Sequence, residues 1–262
     1  MKVLALDFDG VISDSAVESF AVALRTYVKL RPASKLQDVA REIARSSPEA
    51  LRIHPLYRDF LDLMPLGNRA EDFAVALEVI ESGSAVSTQE EYDAHHDAWS
   101  REDMHVFHTR FYQEREQLSG TDREGWLALL GSYGEFVDLL KRRASDVTLA
   151  LATAKDRRTV KILLDHYELS SLFPDERILD KETGASKRAH LIALAELLGT
   201  DFRDITFVDD KVNHLEAVAG LGVRCALAAW GYNGPQEYAL ARERGFLVCE
   251  LSDVERVLFG DV

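Results

Sequence analysis

Two aspartates stand two residues apart in "LDFDG": Asp7 and Asp9, behind an apolar run from Val3 to Leu6 and ahead of Gly10. Acids this close repel one another, and burying either without a partner is costly, so a cation has to sit beside them. Three other places where apolar runs stop or helical patterns begin carry groups that suit the same centre. Thr153 closes "VTLALAT", Lys187 opens a helical stretch behind "DKETGAS", and Asp209 and Asp210 close "DITFVDD". A hydroxyl, a cation and a second acidic pair are the parts of a metal and phosphate site. Carboxylates hold a hard cation, while a hydroxyl and an ammonium receive phosphoryl oxygens.

Such groups meet only if a fold brings the ends of distant segments together. From about Gly134 onward, short apolar runs alternate with amphipathic stretches: Val147 to Thr153, then Asp156 to Tyr167, "RIL", Ser186 to Leu198, Asp204 to Asp209, Asn213 to Gly220, "GVRCALA" and "GFLVCE". Continuous apolar strands separated by helices predict an α/β fold, a parallel sheet covered on both faces. Val3 to Phe8 has the same character and predicts its first strand. In such sheets ligands bind outside the carboxyl ends of the strands, where these groups stand.

Residues 14–130 read differently. Val17, Phe20, Leu24 and Tyr27 follow a helical spacing, as do Phe73, Leu77 and Ile80, and the polar run Gln89 to Leu118 reads as helix. Breaks are expected at "RPAS", "SSP", "MPLGN" and "ESGSAVST". The expected organisation is an α/β core of residues 1–13 and 131–262 interrupted by a helical insertion, residues 14–130.

The formal charge of −14 over 262 residues argues against a nucleic-acid or membrane-surface binder, because most of the surface would repel phosphate. No run approaches the roughly 18 apolar residues of a membrane span, and the start carries acids where a leader would be apolar. A cytoplasmic protein, monomer or homodimer, is expected. Cys225 and Cys249 lie in apolar runs and read as buried, reduced thiols.

With these four segments in this order, the chain resembles the haloacid dehalogenase superfamily of phosphohydrolases. Its four motifs match "LDFDGV", "LATAKD", the lysine of "GASKRAHL" and "FVDDKVNHLEA", and the helical insertion lies where members with a helical-bundle cap carry theirs. The resemblance implies a Rossmann-like core with a cap, Mg²⁺ as cofactor, and hydrolysis of a small phosphorylated metabolite through an aspartyl-phosphate. Asp7 would be nucleophile and metal ligand. Asp9 would lend its carbonyl to the ion and its side chain as acid, then base. Thr153 and Lys187 would bind the phosphoryl group beside Gly10 and the backbone of Ala154, and Asp210, with Asp209 before it, would hold the metal. Two positions depart from the pattern: Ala154 stands where asparagine is frequent, and His214 where a further acid is common, so Asn213 or His214 would take over that acid's contact.

Blander readings exist for each residue alone. "DFDG" is also a turn after a strand, Lys181 rivals Lys187, and "VDD" also caps a helix. An EF-hand is excluded, since Val11 and Ile12 fill places where that loop needs an oxygen ligand and glycine. Lys155, Arg157 and Arg158 suit either an anionic substrate or a surface helix start. His95, His96, His105 and His108, with Glu102, read as a helix face, because no second Glu-x-x-His is found. In the cap, "MPLGNRAED" is the expected specificity loop, with Arg69 either reaching substrate or pairing with Glu71 and Asp72. A sugar-phosphate mutase of the β-phosphoglucomutase kind would share every core residue named. A non-catalytic phosphate binder would be expected to have lost Asp7, Asp9 or Lys187.

Overall fold

The computed structural model describes residues 2–67, 69–184 and 186–260. The chain divides into two compact units, Met1–Asp14 with Ser132–Val262, and Ser15–Gly131.

The first unit is built on six parallel strands: β1 (Val3–Leu6), β4 (Thr148–Ala152), β5 (Ile178–Leu179), β6 (Ile205–Asp209), β7 (Arg224–Ala228) and β8 (Leu247–Cys249). The two-residue strands β2 (Ser13–Asp14) and β3 (Gly131–Ser132) flank the insertion in sequence. The sheet order is β5-β4-β1-β6-β7-β8, so the chain winds outward from β1 first on one side and then on the other. The reversal falls between β1 and β6. Crossovers leave in opposite directions there and open a crevice at the carboxyl ends. Register makes those ends level: Leu6 pairs with Leu151 on one side and with Val208 on the other.

Strands β1, β4 and β6 are apolar almost throughout because both faces are covered, and β1 is buried at every residue. One face packs Leu191 and Leu194 of the helix Lys187–Leu198 and Leu215 of the helix Val212–Ala219 against Ala5, Ala150 and Phe207. Each fully buried leucine or phenylalanine contributes about 1.5–3 kcal/mol, enough to fix where the strand ends lie. Cys225 and Cys249 are buried free thiols whose pKa values burial raises to about 11 and about 12.

The second unit is helical. Its core is a run of tilted rings, Phe20–Phe60–Phe73–Phe111, with successive centroids 5.3, 5.4 and 5.7 Å apart. These rings come from the helices Ala16–Leu30, Pro55–Leu63, Ala70–Ser82 and Arg101–Thr121. Two acids are buried with them and are paired: Glu114 accepts from Arg25 and Lys29, and Glu18 from Arg115 and Trp126. The helical run expected over Gln89 to Leu118 is divided into two helices, Gln89–Asp97 and Arg101–Thr121. Ser100 starts the second by accepting from the Asp103 N–H, a cap that a polar run conceals from periodicity. Of the "MPLGN" break, Asn68 lies outside the described residues, as does Ala185 of the third motif. No helix among the described residues is long and apolar enough to cross a membrane.

Candidate active site

The level ends of β4, β1 and β6 set Thr153, Asp7 and Asp209 side by side at the sheet crevice. The Asp7 N–H donates to Val208 O and the Thr153 N–H to Leu179 O, so each is fixed to the neighbouring strand by its backbone. Lys187 reaches all three strand ends from the first turn of its helix. Its Nζ lies 2.6 Å from Asp7 Oδ1 and 3.2 Å from Asp209 Oδ2, and donates to Ala152 O at 2.8 Å. Ser186 caps that helix through the Ala189 N–H. His190 pins the loop ahead of it, its Nε2 lying 2.8 Å from Asp180 O and 2.9 Å from Gly184 O. Lys181, the rival from sequence, is exposed, so burial selects Lys187.

The carboxylate of Asp7 is engaged on one oxygen only. Oδ1 accepts from the Phe8 N–H at 2.7 Å and faces Lys187, while Oδ2 has no hydrogen bond among the described residues. Burial raises the Asp7 pKa to about 6 against the pull of Lys187, and Asp209 adds to the rise. Asp209 is held down at about 2: burial opposes its charge, but Lys187 and His214 outweigh it. Its Oδ1 accepts from the Lys211 N–H at 2.9 Å and lies 3.0 Å from His214 Nδ1. Burial raises Asp210 to about 7, with Asp209 and Asp7 adding to the rise and Lys211 countering it.

Asp9 is about a third exposed and is gripped by Lys155, whose Nζ lies 2.9 and 3.0 Å from its two oxygens. The Lys155 N–H donates to Thr153 Oγ1, a turn that folds the lysine back over the strand end. Arg157 turns away from this centre to Asp180 Oδ2 and the carbonyls of Asp175 and Ile178, while Arg158 and Ala154 are exposed. The structure therefore separates three cations the sequence left together.

Gly10 offers room, not a donor. Its N–H is committed to Ser13 O, its φ is +78°, and a Cβ there would collide with Asp210 Oδ2. Gly231 clears the other side, where a Cβ would meet Asp210 Cβ and Gly10 O. Asp210 Oδ2 accepts from the Tyr232 N–H at 2.8 Å, and Asn233 Nδ2 donates to Asp210 O. Lys211 donates to Tyr232 O. Sequence reasoning missed Gly231, Tyr232, Asn233 and Lys211. The "WGYNG" break after β7 was the available signal, because in a parallel sheet the loop after a strand also opens on the carboxyl side.

In the second unit Arg69 precedes the helix Ala70–Ser82 with its side chain exposed, and its N–H donates to Asp72 Oδ2 at 2.9 Å. His95 and His108 pair with Glu78 and Glu71, which fits the reading of that cluster as a helix face.

A divalent cation fits the core site on three counts. Asp7, Asp209 and Asp210 are buried together, and burial first, then their mutual repulsion, raises Asp7 and Asp210 against the pull of Lys187 and Lys211, a penalty that a divalent cation would offset. Among the described residues Asp209 Oδ2 is fully buried with no hydrogen bond, and its one cationic neighbour, Lys187, is shared with Asp7. One donor atom each from Asp7, Asp209 and His214 lies within 4.8 Å of the other two. Asp210 is not in that group, although the fourth motif's register had favoured it over Asp209.

Comparison with known proteins bears on the family and the fold. The haloacid dehalogenase-like hydrolase family matches residues 1–222. Phosphoglycolate phosphatase 1 of Pseudomonas aeruginosa is 34% identical over 110 residues, an alignment that covers 40% of this chain and 40% of that protein. A haloacid dehalogenase-like family protein from Streptococcus pneumoniae superposes with a TM-score of 0.63 at 14% identity, covering 98% of both chains. A candidate phosphoglycolate phosphatase from Lactobacillus delbrueckii subsp. bulgaricus does so with a TM-score of 0.68 at 15% identity over 99% of both. At such identities the superpositions speak for the fold, while the family match covers residues 1–222, a span that includes the four segments carrying Asp7, Thr153, Lys187 and Asp209. The chain belongs to the haloacid dehalogenase-like hydrolase family.

Proposed function

We propose that the protein is a Mg²⁺-dependent phosphatase that releases phosphate from a small phosphorylated metabolite by way of an aspartyl-phosphate on Asp7. The observation that carries this reading is the one-sided engagement of Asp7: Oδ1 is held by Phe8 and Lys187 while Oδ2 has no hydrogen bond among the described residues. A carboxylate steadied in this way is aimed as a nucleophile, and attack on phosphorus divides a difficult hydrolysis into two easier displacements.

Asp7 and the Asp9 carbonyl, with Asp209 and Asp210, would hold the ion, which supplies neutralising charge between the carboxylates and a phosphoryl dianion. Lys187 and the Thr153 hydroxyl receive phosphoryl oxygens, and the lysine keeps its proton because Asp209 and Asp7 outweigh the effect of burial. Asp9 protonates the leaving oxygen and then takes a proton from the attacking water. The likeness to phosphoglycolate phosphatase 1 favours a small phosphorylated acid as substrate. Screening phosphorylated metabolites for phosphate release, with and without Mg²⁺, tests the reading. Asp7→Asn should lower turnover at least about a thousandfold while the protein stays folded. Turnover near the wild-type level in a folded Asp7→Asn variant would overturn it.

A further inference from the structure

His214 stands on the first turn of the helix Val212–Ala219, where the family resemblance leads one to expect an acid. Neighbouring Asn213 is exposed, so of the two it is His214 that faces the acids. Its Nδ1 lies 3.0 Å from Asp209 Oδ1, and one imidazole nitrogen with one oxygen each from Asp7 and Asp209 forms a cluster within 4.8 Å. Octahedral ligands about 2.1 Å from a small ion stand up to about 4.2 Å apart, so these three donors need little movement to share one. Lys187 lies 3.2 Å from Asp209 Oδ2, while Oδ1, which also accepts from the Lys211 N–H, is the oxygen that faces His214.

We propose that His214 Nδ1 is a direct ligand of the divalent ion, giving this centre a mixed oxygen and nitrogen donor set that discriminates for Mn²⁺-like ions over Mg²⁺. The proposal rests on the metal-dependent reading above. A carboxylate at this position would add a hard, charged oxygen, which suits Mg²⁺. Imidazole adds a neutral nitrogen, which binds first-row transition ions better and does little for Mg²⁺. Replacing the acid with histidine therefore changes which ion the site prefers without removing it.

Mn²⁺ added to metal-free full-length protein serves as the probe, in wild type, His214→Asp and the near-isosteric His214→Gln. Pulsed electron paramagnetic resonance of bound Mn²⁺ should show coupling to a directly bonded ¹⁴N in wild type and in neither variant. The Mg²⁺ concentration that displaces half the bound Mn²⁺ should fall about tenfold in His214→Asp. Bound Mn²⁺ without nitrogen coupling in wild type would overturn the proposal while leaving the metal-dependent reading intact. No saturable Mn²⁺ or Mg²⁺ binding to wild type would overturn both.

Discussion

Lys155 holds Asp9 by both carboxylate oxygens, at 2.9 and 3.0 Å, with its own side chain almost wholly buried. The second acid of the first motif is thereby fixed in one orientation by a lysine that follows Thr153 by two residues. Lys155→Met should lower kcat about tenfold with little change in KM, since the proposed acid and base role of Asp9 depends on its orientation. Lys155→Arg should recover part of it. Steady-state kinetics on the best substrate from a screen checks this, and an unchanged kcat in Lys155→Met would remove the role.

Lys187 compensates two buried acids at once, so deleting its charge leaves both exposed to their mutual repulsion. Lys187→Met should destabilise the fold by about 3–5 kcal/mol near neutral pH. Lowering the pH to 5 should restore part of the loss, because Asp7 then takes up a proton. Denaturant unfolding at the two pH values measures it, and equal losses at both would contradict the pairing.

Stability of the metal-free protein should fall as pH rises from 5 to 8. Asp7 and Asp210 have folded pKa values raised to about 6 and about 7, so the folded state binds their protons more tightly than the unfolded chain does. His214 is also raised, because Asp209 outweighs its burial, and its contribution is lost in the same direction. The low value of Asp209, about 2, matters only in acid. Divalent metal relieves the repulsion among ionised acids, so its addition should raise the melting temperature more at pH 8 than at pH 5.5. Thermal melts across this range test both halves, and a metal-free profile that rises from 5 to 8 would refute the assignment.

Gly10 and Gly231 enclose Asp210 from two sides. Gly231→Ala pushes a methyl group into Asp210 and into the Gly10 carbonyl, and backbone cannot give way cheaply. A loss of about 1–3 kcal/mol in stability is expected, with weaker divalent-metal binding measured by calorimetry. Gly10→Ala should cost more, since it adds an unfavourable φ to the collision. Wild-type metal affinity in both variants would separate these glycines from the site.

The sequence by itself determined the strands that end in Asp7, Thr153 and Asp209, the lysine at a helix start, and the helical character of the insertion. These are local properties: apolar runs, helical spacing and the break residues between them are written within a few residues of each other. Tertiary structure alone decided which charges meet. Lys155 and Asp9 are 146 residues apart, and only the alignment of β1 with β4 brings them together. Lys187 prevails over Lys181, and His214 over Asn213, through burial and direction. The loop that carries Gly231 and Tyr232 reaches Asp210 because β7 is paired next to β6. The difference is physical: a strand's polarity and face follow from its own side chains, whereas the partner of a buried charge is set by strand order and register, which bring together residues far apart in sequence.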